Sequence, residues 1–220
     1  MRLFYPVATT TMKVLLLAFS RWQVKGKKNV PRKGPLIVVS NHLNNIDPPL
    51  LGASIPRDIY FMAKQELFEP RWVRAVVEGY GAFQVRRGGL DRKAMRRAFE
   101  HLQEGRVVGM FPEGKRSTDH QLQLPQLGAA LLADRSGIPV LPVGIYGSEQ
   151  MKGFRSIFNR PRITVNIGNP FLLAYTGDER ARTRLNKQAD FIMEHIAELL
   201  PESYRGGYNC RVRSGDVNGG

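Results

Sequence analysis

The chain has 220 residues, of which 33 are lysine or arginine and 19 are aspartate or glutamate, so its formal net charge is +14. That length is enough for one sizeable core but short for two full domains. The positive surplus favours an anionic partner, such as a phosphorylated substrate, an acidic lipid surface or nucleic acid. The single cysteine, Cys210, excludes an internal disulfide, and a reducing, cytoplasm-facing location fits that composition.

Residues 1–23 form an apolar segment with basic residues behind it. Its uninterrupted apolar run, residues 14–19, is shorter than the about 20 residues that a spanning helix needs. No small-residue cleavage site follows, which argues against a secretory signal. An apolar helix followed by Trp22 and a basic cluster is typical of a segment lying in the membrane interface. We therefore predict an interfacial helical segment over 1–23, with a helix packed on the domain or a single span as alternatives.

A histidine and an aspartate follow the first strand pattern, Leu36–Val39. Four residues separate His42 from Asp47, and Pro48 comes next. Because proline disfavours the α region in the residue before it, we expect Asp47 outside a helix and a short helix from Pro48. In such a turn the carboxylate can reach the imidazole, fixing its tautomer and raising the basicity of the other nitrogen. Alternatively, Asp47 caps the helix or forms a structural pair.

Further strand and helix patterns alternate along the chain. Strands are predicted at residues 58–62, 82–85, 106–111, 140–146 and 162–167, and helices at 91–103, 126–135 and 178–200. This alternation predicts a single α/β domain over 24–202, with a largely parallel or mixed sheet flanked by helices. Pro142 indicates that the 140–146 strand lies at an edge or an end of the sheet. Residues 203–220 are predicted to form a mobile tail.

Two more polar stretches follow predicted strands, where the sites of α/β sheets gather. Arg86 and Arg87 precede two glycines, so their guanidinium groups can grip a phosphate that the backbone also approaches. The stretch 111–117 combines a carboxylate, a flexible glycine and two cations: Glu113, Gly114, Lys115 and Arg116. Taken singly, each stretch is also compatible with a solvated basic turn.

Together these stretches resemble the four sequence blocks of the glycerophospholipid acyltransferase family, whose best-known members are the lysophosphatidic acid acyltransferases. Asn41, His42 and Asp47 match its Asn-His-x4-Asp block. Its Gly-x-x-Phe-x-x-Arg block is matched from Gly81, and because Phe83 comes one place early, either Arg87, which is favoured, or Arg86 stands for the arginine.

The last two blocks follow in the family's order. Residues 111–117 match Phe-Pro-Glu-Gly-Thr-Arg-Ser, with Lys115 in place of the threonine. Residues 138–144 match an apolar, proline-containing block. Four blocks in order over about residues 24–147 form a specific signal, far stronger than any single motif.

The resemblance implies transfer of an acyl chain from acyl-CoA or acyl-carrier protein to the free hydroxyl of lysophosphatidic acid, giving phosphatidic acid in phospholipid biosynthesis. It implies that His42 is the general base and that Asp47 orients it. The phosphate-binding cations would be Arg87 or Arg86, Lys115 and Arg116, while Glu113, beside Gly114, would bind the glycerol portion. No Gly-x-Ser-x-Gly elbow is present, so we expect direct transfer without a covalent acyl-enzyme.

No metal or other cofactor is expected, since no cluster of histidine and cysteine has metal-ligand spacing. We predict a peripheral position at the cytoplasmic face of the cell membrane, with lipids and an anionic membrane surface as partners. Nucleic acid is not expected, because no aromatic–basic repeat or nucleic-acid motif occurs. A non-catalytic basic membrane-binding module remains an alternative, as does an acyltransferase for glycerol-3-phosphate or another lysolipid.

Overall fold

The computed structural model describes residues 4–69, 71–85, 91–151, 159–174 and 180–209. Within them, the strands are β1 (Arg21–Lys25), β2 (Leu36–Ser40), β3 (Ile59–Lys64), β4 (Phe83–Val85), β5 (Val107–Met110), β6 (Val140–Tyr146) and β7 (Arg162–Ile167). The helices are α1 (Phe4–Phe19), α2 (Asp47–Ser54), α3 (Arg71–Gly79), α4 (Arg92–Gln103), α5 (Gly128–Ser136) and α6 (Ala181–Glu198).

The seven strands form one mixed sheet in the order β1-β7-β6-β2-β5-β3-β4. Strands β2 to β6 are mutually parallel, whereas β7 runs antiparallel to β6 and β1 runs parallel to β7. The carboxyl ends of β2, β3, β4, β5 and β6 therefore lie along one edge of the sheet. The first and third sequence blocks follow the carboxyl ends of β2 and β5, and the second block contains the carboxyl end of β4. The fourth block, residues 138–144, forms most of β6 and stops two residues before its carboxyl end.

Two hydrophobic layers cover the two faces of the sheet. Alternate residues of β2 point to opposite faces, with Ile37 and Val39 in one layer and Leu36 and Val38 in the other. Helices α4, α5 and α6 pack on the first face, while α1 and α2 pack on the second. All five residues of β2 are buried, which is why its sequence is a continuous apolar run and not an alternating one.

The predicted fold class, a single α/β domain with a mixed sheet flanked by helices, is confirmed. Local signals account for two helix ends: the Asp91 side chain accepts hydrogen bonds from Lys93 N and Ala94 N at the start of α4, and Gly137 ends α5 with a positive φ of 63°. The structure adds two unpredicted elements, α3 and β1. Strand β1 contains residues 21–23 of the predicted interfacial segment and pairs with β7 through hydrogen bonds that no short pattern reveals.

The position predicted for Pro142 is wrong, because β6 lies inside the sheet, between β7 and β2. Pro142 O accepts a hydrogen bond from Gly168 N, one residue beyond the end of β7. Backbone N and O of one strand residue face the same neighbouring strand. The donor that proline lacks therefore faces the end of β7, and the pairing of β6 with β2 loses no hydrogen bond.

Two predicted boundaries also differ from the structure. Helix α2 begins at Asp47 and not at Pro48, because Ile46 is the N-cap and its O accepts the first helical hydrogen bond, from Leu50 N at 2.8 Å. At the other end, residues 203–209 pack on the domain, since Tyr208 is buried and its hydroxyl donates to Asp190. The remainder of the predicted tail, 210–220, lies outside the described residues. In the described part of the chain, no helix has both the length and the hydropathy needed to cross a bilayer.

Candidate active site

The His42 turn connects the carboxyl end of β2 to α2. His42 follows β2 by two residues, and Glu113 follows β5, the strand paired beside it, by three. On the other side of β2, the Asn41 side chain bridges to β6: its Nδ2 donates to Ile145 O and its Oδ1 accepts from Ile145 N, both at 2.7 Å. Asn41 is buried, so in this structure it holds the base of the turn and does not face a substrate.

His42 and Asp47 are in direct contact. The Nδ1 atom of His42 lies 2.9 Å from Asp47 Oδ2, with the histidine side chain 13% exposed and the aspartate fully buried. The same oxygen accepts hydrogen bonds from Leu43 N and Asn44 N, each at 2.7 Å. An ionised carboxylate can only accept, so Nδ1 carries the hydrogen and Nε2 is left with a lone pair. This is the tautomer that a general base requires.

The turn is also tied to the segment after β6. The Asn44 side chain donates to Ser148 O at 3.0 Å and to Met151 O at 3.2 Å. Two asparagines therefore attach the His42 turn to the β6 side of the edge, which leaves its other side to the loop after β5.

That loop contacts both the ring and the backbone of His42. The Phe111 ring stacks on the imidazole, with centroids 4.1 Å apart and planes at 22°. The His42 N–H donates to Glu113 Oε1 at 3.0 Å, and the His42 carbonyl accepts from Ser117 N at 2.8 Å. The ring, the N–H and the carbonyl of the candidate base are thus all held by residues of the 111–117 block.

Glu113 is a buried carboxyl group that bridges two segments. Its side chain is almost wholly buried, and its second oxygen, Oε2, accepts from Gln123 N at 3.1 Å. Burial raises the pKa of Glu113 to about 7, partly offset by the two N–H donors, while the nearby Asp47 and Asp119 charges raise it further. The group therefore changes charge close to neutral pH.

The cations of the same block lie at the surface. Gly114 adopts a positive φ of 68°, which turns the chain after Glu113. Lys115 and Arg116 follow this turn and are exposed, and Arg116 directly precedes Ser117, whose N–H binds His42. The two cations therefore lie next to a residue that contacts the candidate base, and both are exposed to solvent. The other predicted cations, Arg86 and Arg87, lie outside the described residues.

The histidines His101 and His195 lie away from this edge. His101 stacks on Tyr60 near the amino end of β3, and burial together with the adjacent Arg106 lowers its pKa. His195 packs against Phe191 and Phe171 on α6 and on the segment after β7. Among the residues that the structure describes, no three histidine, cysteine, aspartate or glutamate side chains form a cluster that could hold a metal ion.

Comparison with known proteins decides the family. A family model described as Acyltransferase matches residues 21–146, which is more than half of the chain. The chain belongs to the acyltransferase family. The matched region runs from β1 to the end of β6 and contains the His42 turn and the 111–117 block, so the resemblance drawn from the sequence blocks is confirmed. This protein is an enzyme of the acyltransferase class.

Two relatives of similar sequence are named as acyltransferases with a stated acceptor. This acyltransferase is 28% identical over 196 residues to a 1-acyl-sn-glycerol-3-phosphate acyltransferase of Bacillus subtilis, covering 89% of this chain and 96% of that one. It is 28% identical over 161 residues to the protein of that name from Borreliella burgdorferi, covering 72% of this chain and 64% of the relative.

A solved structure matches the fold. The acyltransferase superposes on the crystal structure of the 1-acyl-sn-glycerophosphate acyltransferase PlsC from Thermotoga maritima with a TM-score of 0.66 and 25% sequence identity. The superposition covers 86% of this chain and 78% of that chain. The mixed sheet and its flanking helices are therefore an arrangement that a family member also has.

Three contacts of the acyltransferase site were not foreseen from sequence. Gln123 bonds to Glu113 through its backbone N–H, so its residue type carries no signal for this contact. The stacking of Phe111 on His42 joins residues 69 positions apart, which no local pattern encodes. Asn41 stands in the first block, and a polar residue at the end of a wholly buried strand was a usable signal that it satisfies backbone groups there.

Proposed function

We propose that this enzyme transfers an acyl chain from acyl-CoA or acyl-carrier protein to the free hydroxyl of lysophosphatidic acid, giving phosphatidic acid. The names of its relatives support this acceptor. The observation that carries the chemistry is the 2.9 Å contact between His42 Nδ1 and the buried Asp47. It leaves Nε2 as the ring nitrogen able to take a proton, on a side chain that is still partly exposed.

In the proposed reaction, His42 Nε2 removes the proton of the acceptor hydroxyl as its oxygen attacks the thioester carbonyl. The carbonyl carbon gains a C–O bond and then loses its C–S bond, and the imidazolium returns its proton to the leaving thiolate. Such a base contributes about 10²- to 10⁴-fold to the rate. Holding the two reactants together contributes more than the base, since effective molarities of oriented groups reach about 10⁵ to 10⁸ M.

The acceptor phosphate is proposed to bind the exposed cations Lys115 and Arg116, together with Arg87 or Arg86. Arginine suits this task because its planar guanidinium forms two parallel hydrogen bonds to a phosphate. The turn at Gly114 directs Lys115 and Arg116 away from the buried Glu113 and towards solvent, from which a lysolipid headgroup would approach.

An assay of acyl transfer tests the proposal. Purified protein is incubated with lysophosphatidic acid and either acyl-CoA or acyl-carrier protein, and the two-chain product is measured by mass spectrometry. We expect phosphatidic acid, with the free thiol released in equal amount. Acylation of glycerol-3-phosphate or another lysolipid instead would reassign the acceptor. Failure with every acceptor would favour the alternative, a non-catalytic basic membrane-binding module.

Arg116→Ala is expected to raise the KM for lysophosphatidic acid by about tenfold or more, because a charge-assisted hydrogen bond contributes about 1.5 to 3 kcal/mol. Turnover at saturation should change little, since the guanidinium is not proposed to touch the reacting atoms. Steady-state kinetics with varied acceptor measure both constants. Arg135→Ala is the control, because this exposed arginine lies near the end of α5, before the amino end of β6. An unchanged KM in Arg116→Ala would contradict its role.

We further propose that the enzyme is peripheral to the cytoplasmic face of the membrane and that α1 inserts in the interface. One side of α1 packs on the domain through Tyr5, Thr9 and Leu16. The opposite side exposes apolar residues, with exposed fractions from 43% to 62%: Phe4, Val7, Val14, Leu15 and Leu17. An exposed apolar patch of this kind marks an interaction site, such as one for a membrane, and the basic residues that follow α1 favour an anionic bilayer surface.

Leu17→Glu is expected to weaken binding to vesicles of phosphatidylcholine and phosphatidylglycerol by about tenfold, because burying one leucine contributes about 1.5 to 3 kcal/mol. Flotation measures the bound fraction. Leu172→Glu is the matched control: Leu172 is 62% exposed against 61% for Leu17, and it follows Phe171, which packs on the opposite face of the sheet. Equal losses in the two variants would contradict insertion by α1.

A further inference from the structure

Both backbone groups of His42 are bonded to one loop. Its N–H donates to the Glu113 side chain at 3.0 Å, and its carbonyl accepts from Ser117 N at 2.8 Å. The bond from Ser117 uses a backbone N–H of the loop, whereas the bond to Glu113 uses a side chain. A substitution at position 113 can therefore remove one of the two bonds and leave the other in place.

The other end of the Glu113 carboxylate is bonded to a fixed part of the domain. Its Oε2 accepts from Gln123 N at 3.1 Å. The neighbouring Leu122 is buried in the core, and its N–H donates to Tyr204 O at 2.9 Å. The Tyr204 hydroxyl in turn donates to Glu149 at 2.9 Å. Glu113 thus links the candidate base to the segment 122–123, which is fixed by the burial of Leu122 and by its bond to Tyr204.

We propose that Glu113 is a positioning residue that holds the His42 backbone against the segment 122–123, and that it does not bind the acceptor. This role rests on the proposed acyl transfer by His42. Glu113 is only 2% exposed, and each of its oxygens already accepts a backbone N–H. A group that is buried and bonded in this way is poorly placed to meet a glycerol hydroxyl, whereas the cations beyond Gly114 are exposed and accessible to the acceptor phosphate.

A small movement of a base has a large effect on rate, because misplacement by about 1 Å costs about 10²-fold. Loss of the Glu113 bond frees the N–H of the residue that carries the imidazole. Asp47 and Phe111 still hold the ring, so the effect should be a loosening of the base and not its removal.

Glu113→Gln tests the proposal with almost no change in volume. An amide has one acceptor atom, so its NH2 group must face either the His42 N–H or the Gln123 N–H, and one of the two bonds is lost. We expect kcat to fall by about 10- to 100-fold while the KM for lysophosphatidic acid stays within about twofold. Hydrogen exchange at the His42 amide should become faster. Asp134→Asn is the control, because it makes the same carboxylate-to-amide change at a residue bonded to Arg184 and Gln188 and not to the His42 turn.

A second comparison separates positioning from a general loss of structure. Introduced into His42→Ala, the same Glu113→Gln substitution should lower the residual turnover by less than about twofold, because a residue that acts through the imidazole has no effect once it is gone. Thermal unfolding confirms that each variant is folded at the assay temperature. If the glutamine variant does not fold, Glu113→Asp replaces it, since the shorter carboxylate cannot reach both amides.

A raised KM with kcat retained would overturn the proposal and place Glu113 on the acceptor. Unchanged kcat, or an equal loss in the His42→Ala background, would also overturn it. An inactive wild-type enzyme contradicts the proposed acyl transfer itself. In that case the exchange rate of the His42 amide still reports whether Glu113 holds this backbone.

Discussion

His42→Ala is expected to lower kcat by about 10²- to 10⁴-fold, which is the contribution of a positioned general base. The acceptor alcohol is a poor nucleophile until its proton is removed, and in the structure the imidazole is the partly exposed base at the centre of the carboxyl edge. The KM for lysophosphatidic acid should change little, because the proposed phosphate contacts belong to other residues. Steady-state kinetics at saturating donor measure both constants.

The fold should survive this substitution, because the bonds from His42 to Glu113 and Ser117 are made by its backbone. Among the described residues, the imidazole contacts that are lost are the stacking on Phe111 and the bond to Asp47. His195→Ala is the matched control, since it removes an imidazole from α6 and should leave turnover unchanged. Turnover of His42→Ala above a tenth of the wild-type value would contradict base catalysis by this residue.

Asp47→Asn is expected to lower kcat by about 10²-fold, less than the about 10⁴-fold known for an Asp–His pair in which the substitution imposes the wrong tautomer. Here Leu43 N and Asn44 N both donate to the oxygen that contacts His42. They should keep an amide oxygen, and not the amide nitrogen, facing His42 Nδ1. The tautomer is then retained, and the loss reports only the missing negative charge beside the imidazolium.

Asp47→Ala would be a less informative variant. It leaves two backbone N–H groups unpaired in a fully buried site, at about 1 to 3 kcal/mol each, so loss of activity would mix with loss of folding. The control for Asp47→Asn is Asp134→Asn, which removes a carboxylate bonded to Arg184 and Gln188 near the far end of α5. That variant should unfold more easily yet keep its turnover. A fall of about 10⁴-fold in Asp47→Asn would indicate that the amide nitrogen, and not its oxygen, faces the imidazole.

The first and third blocks meet because of the strand order. Strand β2 lies between β5 and β6, so the His42 turn has the 111–117 block on one side and Ile145 with Ser148 on the other. The two asparagines of the turn bond to the β6 side. From the β5 side, Phe111, Glu113 and Ser117 contact His42. The turn that carries the candidate base is therefore held by contacts from two segments that are distant from it in the chain.

Patterns with a short period were sufficient for much of the fold. The continuous apolar runs of β2 and β6 identified buried strands, and the apolar repeat of residues 185–199 identified α6, because these signals depend on burial of each segment's own side chains. Strand β1 was missed for the opposite reason: its five residues alternate between exposed and half-buried, and its strand conformation depends on pairing with β7, far along the chain. Pro142 led to the wrong prediction of a strand at the edge of the sheet. Its missing N–H faces the end of β7, so the pairing of β6 with β2 is not affected.

The sequence by itself determined the family, the α/β architecture and the identity of the two residues proposed for the chemistry, His42 and Asp47. These follow from local spacing, since a tight turn of six residues brings its own ends together. Only the tertiary structure decided which atoms hold that pair. The bonds from Glu113 to His42 and Gln123 use backbone N–H groups, which every residue except proline possesses. Residue types therefore cannot reveal them, and the burial that raises the pKa of Glu113 to about 7 arises only when β5 lies beside β2.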